Sequence, residues 1–123
     1  MAASTITIQS TLGDPIHLID LLLAVKPFLS DLEWEIDVEC SLTPNGQVLE
    51  AAQGQPRSTR DLMEMSSLPH LQVIDGKLVG RGPAISLTIA AVDGQWWDVT
   101  TDSKEIQESL LLAFPSAAFN TDF

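Results

Sequence analysis

Residues 32–40 read LEWEIDVEC. Leu32, Trp34, Ile36, Val38 and Cys40 point one way, while Asp31, Glu33, Glu35, Asp37 and Glu39 point the other. A period of two is the signature of a β-strand with one face in a core and one in water. This is the cleanest strand signal in the chain, so the fold is read outward from it. Towards the N-terminus, Thr5 to Gln9 alternates Thr and Ile, a second short half-buried strand. Asp14-Pro15 then pairs an N-cap acid with a proline at the first helical position, predicting a helix that runs to about Leu29, with Pro27 ending or kinking its last turn. Ile16, Leu18, Ile19, Leu21, Leu22, Leu23, Val25 and Phe28 cover most of its circumference. Such a helix is either deeply buried or partly covered by another chain.

Towards the C-terminus, Thr43-Pro44-Asn45-Gly46 reads as a turn, with Gln47–Glu50 returning as a partner strand. Residues 51–58 (AAQGQPRS) read as a loop, and Ser58 with Asp61 forms a capping box that opens a short helix through about Met65. His70–Ile74 and Lys77–Val79 flank Asp75-Gly76, predicting a hairpin. In the next hairpin Ile85, Leu87, Ile89 and Ala91 share a face, as do Trp97 and Val99. A two-residue Asp93-Gly94 loop would mix those faces. A three-residue Val92-Asp93-Gly94 loop pairs Ile89 with Trp97 and Leu87 with Val99, with Gly94 at the left-handed position, and is preferred. Asp102 with Glu105 caps a helix from Ser103 to about Phe114, which Pro115 stops. The tail 116–123 either docks through Phe119 and Phe123 or frays. The order predicts a single α+β domain over residues 1–123: one antiparallel sheet of about five to six strands with two main helices packed on one face.

The composition narrows the function. The chain has 123 residues, one domain's worth, with 45% hydrophobic and 19% charged residues, close to ordinary globular usage. The single Cys40 cannot form an internal disulfide, which favours a reducing compartment. A formal charge of −11 argues against nucleic acid and against an anionic membrane surface. No secretory signal or membrane span is legible, so a cytoplasmic location is expected. Residues 1–56 carry eight acids and one base, residues 57–82 three acids and four bases, and the remainder six acids and one base.

A catalytic set is not legible. His17 and His70 have no neighbour at metal-ligand spacing, and Cys40 continues an inward-facing set. Residues 76–82 (GKLVGRG) are neither a phosphate loop nor a dinucleotide fingerprint. No catalytic residue, metal or cofactor is therefore expected. The informative constellation is the row Glu33, Glu35, Asp37 and Glu39, whose carboxylates would recur about every 6.6 Å along one face. Two readings stand: the solvated face of a strand that guards a sheet edge, or a dock for a basic protein. Trp96 is the second constellation. It shares the outer face with Thr88, Ala90, Asp98 and Thr100, where an exposed tryptophan serves as an anchor unless a helix or the tail covers it.

The segment from Asp93 through Gly94, Gln95, Trp96, Trp97, Asp98, Val99, Thr100, Thr101, Asp102, Ser103, Lys104, Glu105 and Ile106 to Phe114 resembles the closing unit of many bacterial toxin-immunity proteins. In those small acidic α+β proteins an aromatic strand ends in a Thr-x-Asp-like cap, followed by a terminal helix that ends near a Phe. The resemblance covers roughly the last 30 residues and carries over no binding motif. It implies an intracellular inhibitor that binds a cognate secreted toxin, often by covering its active site; with the acidic charge of the chain, the expected target is a toxin with a basic active-site cleft, such as a nuclease. The binding residues expected from the chain itself are Glu33, Glu35, Asp37, Glu39, Trp96 and Asp98. A second reading is an acidic secretion chaperone, a homodimer through the Ile16–Val25 helix that holds an effector segment. A third is a small enzyme using carboxylates such as Glu39 and Asp98.

Overall fold

Residues 33–40 form a strand in which Trp34, Ile36, Val38 and Cys40 are buried and the four intervening acids are exposed. The computed structural model describes residues 3–11, 13, 15–40, 44–69 and 71–120. These form β1 (Ser4–Gln9), α1 (Leu18–Val25), a 3-10 turn at Lys26–Phe28, β2 (Glu33–Cys40) and α2 (Pro44–Glu50). They continue through β3 (Arg57–Ser58), α3 (Thr59–Ser66), β4 (Val73–Arg81), β5 (Ser86–Val92), β6 (Trp96–Thr101), α4 (Lys104–Ala113) and β7 (Ala118–Phe119). The architecture is α+β, and the strands make one antiparallel sheet in the order β3-β2-β4-β5-β6-β1-β7. Among the described residues there are seven strands and four α-helices, more than the five to six strands and two main helices expected.

Three cross-strand rows build the dry face. Ile8, Trp97, Ala91, Gly76 and Val38 lie in one; Ile6, Val99, Ile89, Leu78 and Ile36 in the next; Thr101, Leu87, Gly80 and Trp34 in the third. The buried apolar residues of α1, α3 and α4, with Leu49 of α2, join the same core cluster. The greasy helix is thus largely absorbed by its own domain: Leu18, Leu21, Leu22 and Val25 are buried, and Leu23 is the large side chain left outside.

Trp34 fastens the layers together. It is fully buried, and a Cβ on Gly80 would come within 3.0 Å of its ring, so the glycine makes the room. The indole Nε1–H donates to Thr59 Oγ1 at 2.9 Å, and that hydroxyl donates to the Leu29 carbonyl. Strand β2, the start of α3 and the end of the α1 segment meet at this relay.

Several expectations are corrected. Asp75-Gly76 is not a hairpin, because β4 runs straight through it. Gly76 sits at φ +117 where β4 presses on β2, and a Cβ there would lie 2.3 Å from the Asp37 carbonyl oxygen. The glycine answers to close backbone approach beside an irregularity at Glu39/Cys40, not to a reversal. Gln47–Glu50 is the end of a helix, not a strand; Leu49 and Ala52 are buried, and tertiary packing overrides the weak helix propensity of Asn45 and Gly46. Thr43 of the expected turn lies outside the described residues.

The greasy helix starts at Leu18, later than Asp14-Pro15 suggests, and its N-cap is His17, whose N–H donates to Asp20 Oδ2 at 2.8 Å. Asp14 lies outside the described residues. The β5–β6 loop has three residues, but they are Asp93, Gly94 and Gln95, so Ile89 faces Val99 and Ala91 faces Trp97. Asp93 and Gly94 both have positive φ, the mark of a primed turn, closed by Gln95 N–H to Val92 O at 2.9 Å. A shift by two residues keeps every side chain on its expected face. Helix α4 is capped by Ser103, not Asp102, because Ser103 Oγ accepts from Ile106 N–H. In the tail, Ala118 and Phe119 pair with β1 as β7, while Phe123 lies outside the described residues.

Two outcomes are expected in urea unfolding. Thr59→Val orphans both the Trp34 donor and the Leu29 carbonyl and should cost about 2–4 kcal/mol, most of it restored by Thr59→Ser. Gly76→Ala should cost about 3 kcal/mol from a wrong φ plus a backbone clash, against about 1–2 kcal/mol for Gly54→Ala, where φ is also positive but space is open.

Candidate functional site

Parity on β2 that drives Trp34 inward drives Glu33, Glu35, Asp37 and Glu39 outward. They lie on the sheet face that, among the described residues, no helix covers. The neighbouring strands continue that face. Val79, Thr88, Thr100 and Thr5 extend the row of Glu35; Lys77, Ala90, Asp98, Thr7 and Ala118 extend that of Asp37; Asp75 stands opposite Glu39, and Val92, Trp96 and Gln9 form the same row farther on.

The acidic row is exposed but not unaccompanied. Arg81 on β4 reaches Glu35 at 3.1 Å, with both side chains more than half exposed, so the pair is worth about 0–1 kcal/mol and is screened by salt. Lys77 stands opposite Asp37, with no ion pair within 4 Å among the described residues. The face therefore carries Glu33, Glu35, Asp37, Glu39, Asp75 and Asp98 against Lys77 and Arg81, a surplus of carboxylate spread over β2, β4 and β6. Asp75 is partly engaged, accepting from Asp93 N–H at 3.0 Å.

The backbone beneath this face is held at both margins. On the outer side of β2, Gln53 Nε2 donates to Val38 O at 2.8 Å, and Cys40 N–H donates to Glu50 at 3.4 Å. On the outer side of β1, Asn120 N–H donates to Thr5 O at 2.8 Å, and Ser116 Oγ takes the N–H of Gln9 and donates to its carbonyl, each at 3.2 Å.

Trp96 and Asp98 share the outer face with the acidic row but sit three strand spacings away, about 14 Å. The six expected binding residues form one surface, not one pocket. For the same reason Glu39 and Asp98 are too far apart to act on one atom. The half-buried Trp96 lines three hollows, a small one of about 30 Å³ beside Trp97 and two larger ones. One, about 590 Å³, lies over β6, β1 and β7 and includes Thr7, Gln9, Asp98 and Phe119. The other, about 660 Å³, lies at the end of the sheet and includes Gln9, His17, Gln72 and Gln95. Thr7 Oγ1 donates to Asp98 Oδ1 at 2.6 Å and so fixes the carboxylate. Sequence reasoning missed Thr7, Gln9 and the β7 wall. The Thr-Ile alternation of β1 placed Thr7 on a wet face, but nothing local to it identified β6 as its neighbour.

Cys40 is held away from reactivity. Burial, and then the nearby Glu50 carboxylate, push its thiol up to about 11. Among the described residues no group of His, Cys, Asp or Glu side chains is arranged to hold a metal ion. His17 is an exposed helix cap, and His70 lies outside the described residues. No helix of the described residues is long and apolar enough to cross a membrane. The chain matches no protein-family model, no curated protein and no solved structure.

The Cys40 environment gives a signed expectation. The folded thiol sits near 11 against an ordinary 9.0, so the folded state favours the protonated form. Stability relative to Cys40→Ala should be constant below pH 9 and fall as pH rises towards 11. At pH 7.5 iodoacetamide should label the native thiol at least about 100-fold more slowly than the urea-unfolded chain.

Proposed function

We propose that this chain is an immunity-type binding protein that lays its open sheet face on the basic surface of a cognate bacterial toxin in the cytoplasm and covers the toxin's active site. The observation that carries the reading is a sheet face that, among the described residues, no helix covers and that carries six carboxylates against two bases, on a backbone held at both margins. A rigid acidic surface raises the encounter rate with a cationic partner and lets little of the binding energy be lost to ordering. Size is consistent with this role. Six strand spacings by seven residues give roughly 650 Å² of flat face, close to the ≈ 800 Å² a partner contributes to a standard interface. The high pKa of Cys40 and the separation of Glu39 from Asp98 favour binding over catalysis. The resemblance of residues 93–114 to the closing unit of immunity proteins supplies the identity of the partner class.

A second reading, the dimeric secretion chaperone, draws on a different surface. Leu23 and Leu112 are 54% and 88% exposed, and a hollow of about 580 Å³ lies between α1 and the end of α4, lined by Leu23, Ala24, Ala113 and Phe114 among others. Sedimentation separates the two: immunity predicts a monomer that pairs one-to-one with a folded toxin, and the chaperone predicts a tight dimer that Leu112→Glu breaks.

The decisive experiment pairs the chain with the toxin module encoded beside it. Reversing Glu35 and Asp37 to Lys should slow association by at least about tenfold at 20 mM salt and by less than about threefold at 0.5 M. An association rate within about twofold of wild type at both salt levels would remove the acidic row from the docking surface.

A further inference from the structure

We infer that the groove beside Trp96 and Asp98 is a receptor for one arginine side chain of the partner. The inference rests on the docking face proposed above and names what that face reads. Three observations converge on it. First, the tryptophans divide by use: Trp34 and Trp97 are buried and donate their indole N–H to Thr59 and to the Ile16 carbonyl, whereas Trp96 is half-buried on the outer face. Second, Asp98 stands two residues along the same face, and Thr7 takes one of its carboxylate oxygens at 2.6 Å, leaving the other directed to no base among the described residues. Third, among the described residues no Lys, Arg or His lines this groove, while Gln9 and Phe119 do, and the Ser116 hydroxyl bridges the backbone of Gln9 to hold the wall in place.

The chemistry selects the occupant. An aromatic face next to a fixed carboxylate attracts a cation, through the ring quadrupole and through charge-assisted hydrogen bonds. A guanidinium suits it better than an ammonium, because its weakly hydrated plane stacks on an indole while its edge donates to the carboxylate and to an amide oxygen such as that of Gln9. An anion finds no counter-charge here: the nearest base on the face, Lys77, is separated from Asp98 by β5, two strand spacings or about 10 Å away. Among the described residues, those lining the 660 Å³ hollow beside Trp96 include no carboxylate, so the selection for charge rests on the Asp98 side.

The test uses the full chain, titrated with N-acetyl-arginine methylamide and, separately, with the neutral isostere N-acetyl-citrulline methylamide. The Trp96 indole N–H signal is identified by its loss in Trp96→Phe. It should move saturably with the arginine probe and at least about tenfold more weakly with the citrulline probe. The response should disappear in Asp98→Asn and persist when Glu35 and Asp37 are reversed to Lys. Unchanged Trp34 and Trp97 indole signals verify folding in each variant. Equal response to both probes, or an arginine response that survives Asp98→Asn, overturns the assignment. Neutralisation of the toxin with a groove indifferent to arginine would fell this inference alone; arginine binding without any toxin partner would fell the broader reading instead.

Discussion

The indole of Trp34 fits against β4 only because Gly80 carries no side chain, and its N–H ends on a hydroxyl that is itself committed to the Leu29 carbonyl. That contact sets the position of β2 against the helices. Because successive strand residues alternate faces, seating Trp34 also commits Ile36, Val38 and Cys40 to the core and the intervening acids to water. A slip of one residue would bury four carboxylates, at a cost no other contact in so small a domain could offset. The electrostatic character of the outer face is in this sense a by-product of where one aromatic ring is housed.

The two faces of the sheet divide the work. On the inner face three largely apolar rows, with Gly76, Gly80 and Thr101 among them, lock the strands to the α-helices. On the outer face the same strands present carboxylates at one side, small hydroxyl and methyl side chains across β5, and Trp96 with Asp98 at the other. A partner that spans the face would meet a charged margin, a low-relief middle and an aromatic hollow. For such a partner, charge would govern encounter and the hollow residence, since exposed charges act mainly on association and packed aromatics mainly on dissociation.

Much of this could be read from the chain before any coordinates. The 32–40 alternation, the Thr-Ile alternation of β1, the Ser58 cap and the faces of β5 and β6 are set by local pattern, and the structure has them where the pattern puts them. The misses share a cause. Asp75-Gly76 and Pro44-Asn45-Gly46 carry turn chemistry, yet one is used for close strand approach and the other lies in a helix whose Leu49 is needed in the core. Local preference there is worth less than burial, and burial depends on partners far along the chain. The hollow beside Trp96 was half legible: Trp96 and Asp98 lie two apart on one strand, but Thr7, Gln9 and the β7 wall come from the opposite end of the chain.

The sheet begins and ends in strands of only two residues, with Gln53, Glu50, Ser116 and Asn120 occupying the neighbouring main-chain groups. A foreign chain looking for a free ladder on which to zip finds only short stretches of one. Self-association by strand exchange and the growth of cross-β fibres are disfavoured at both margins. With both margins occupied in this way, a binding protein would have to approach the sheet broadside.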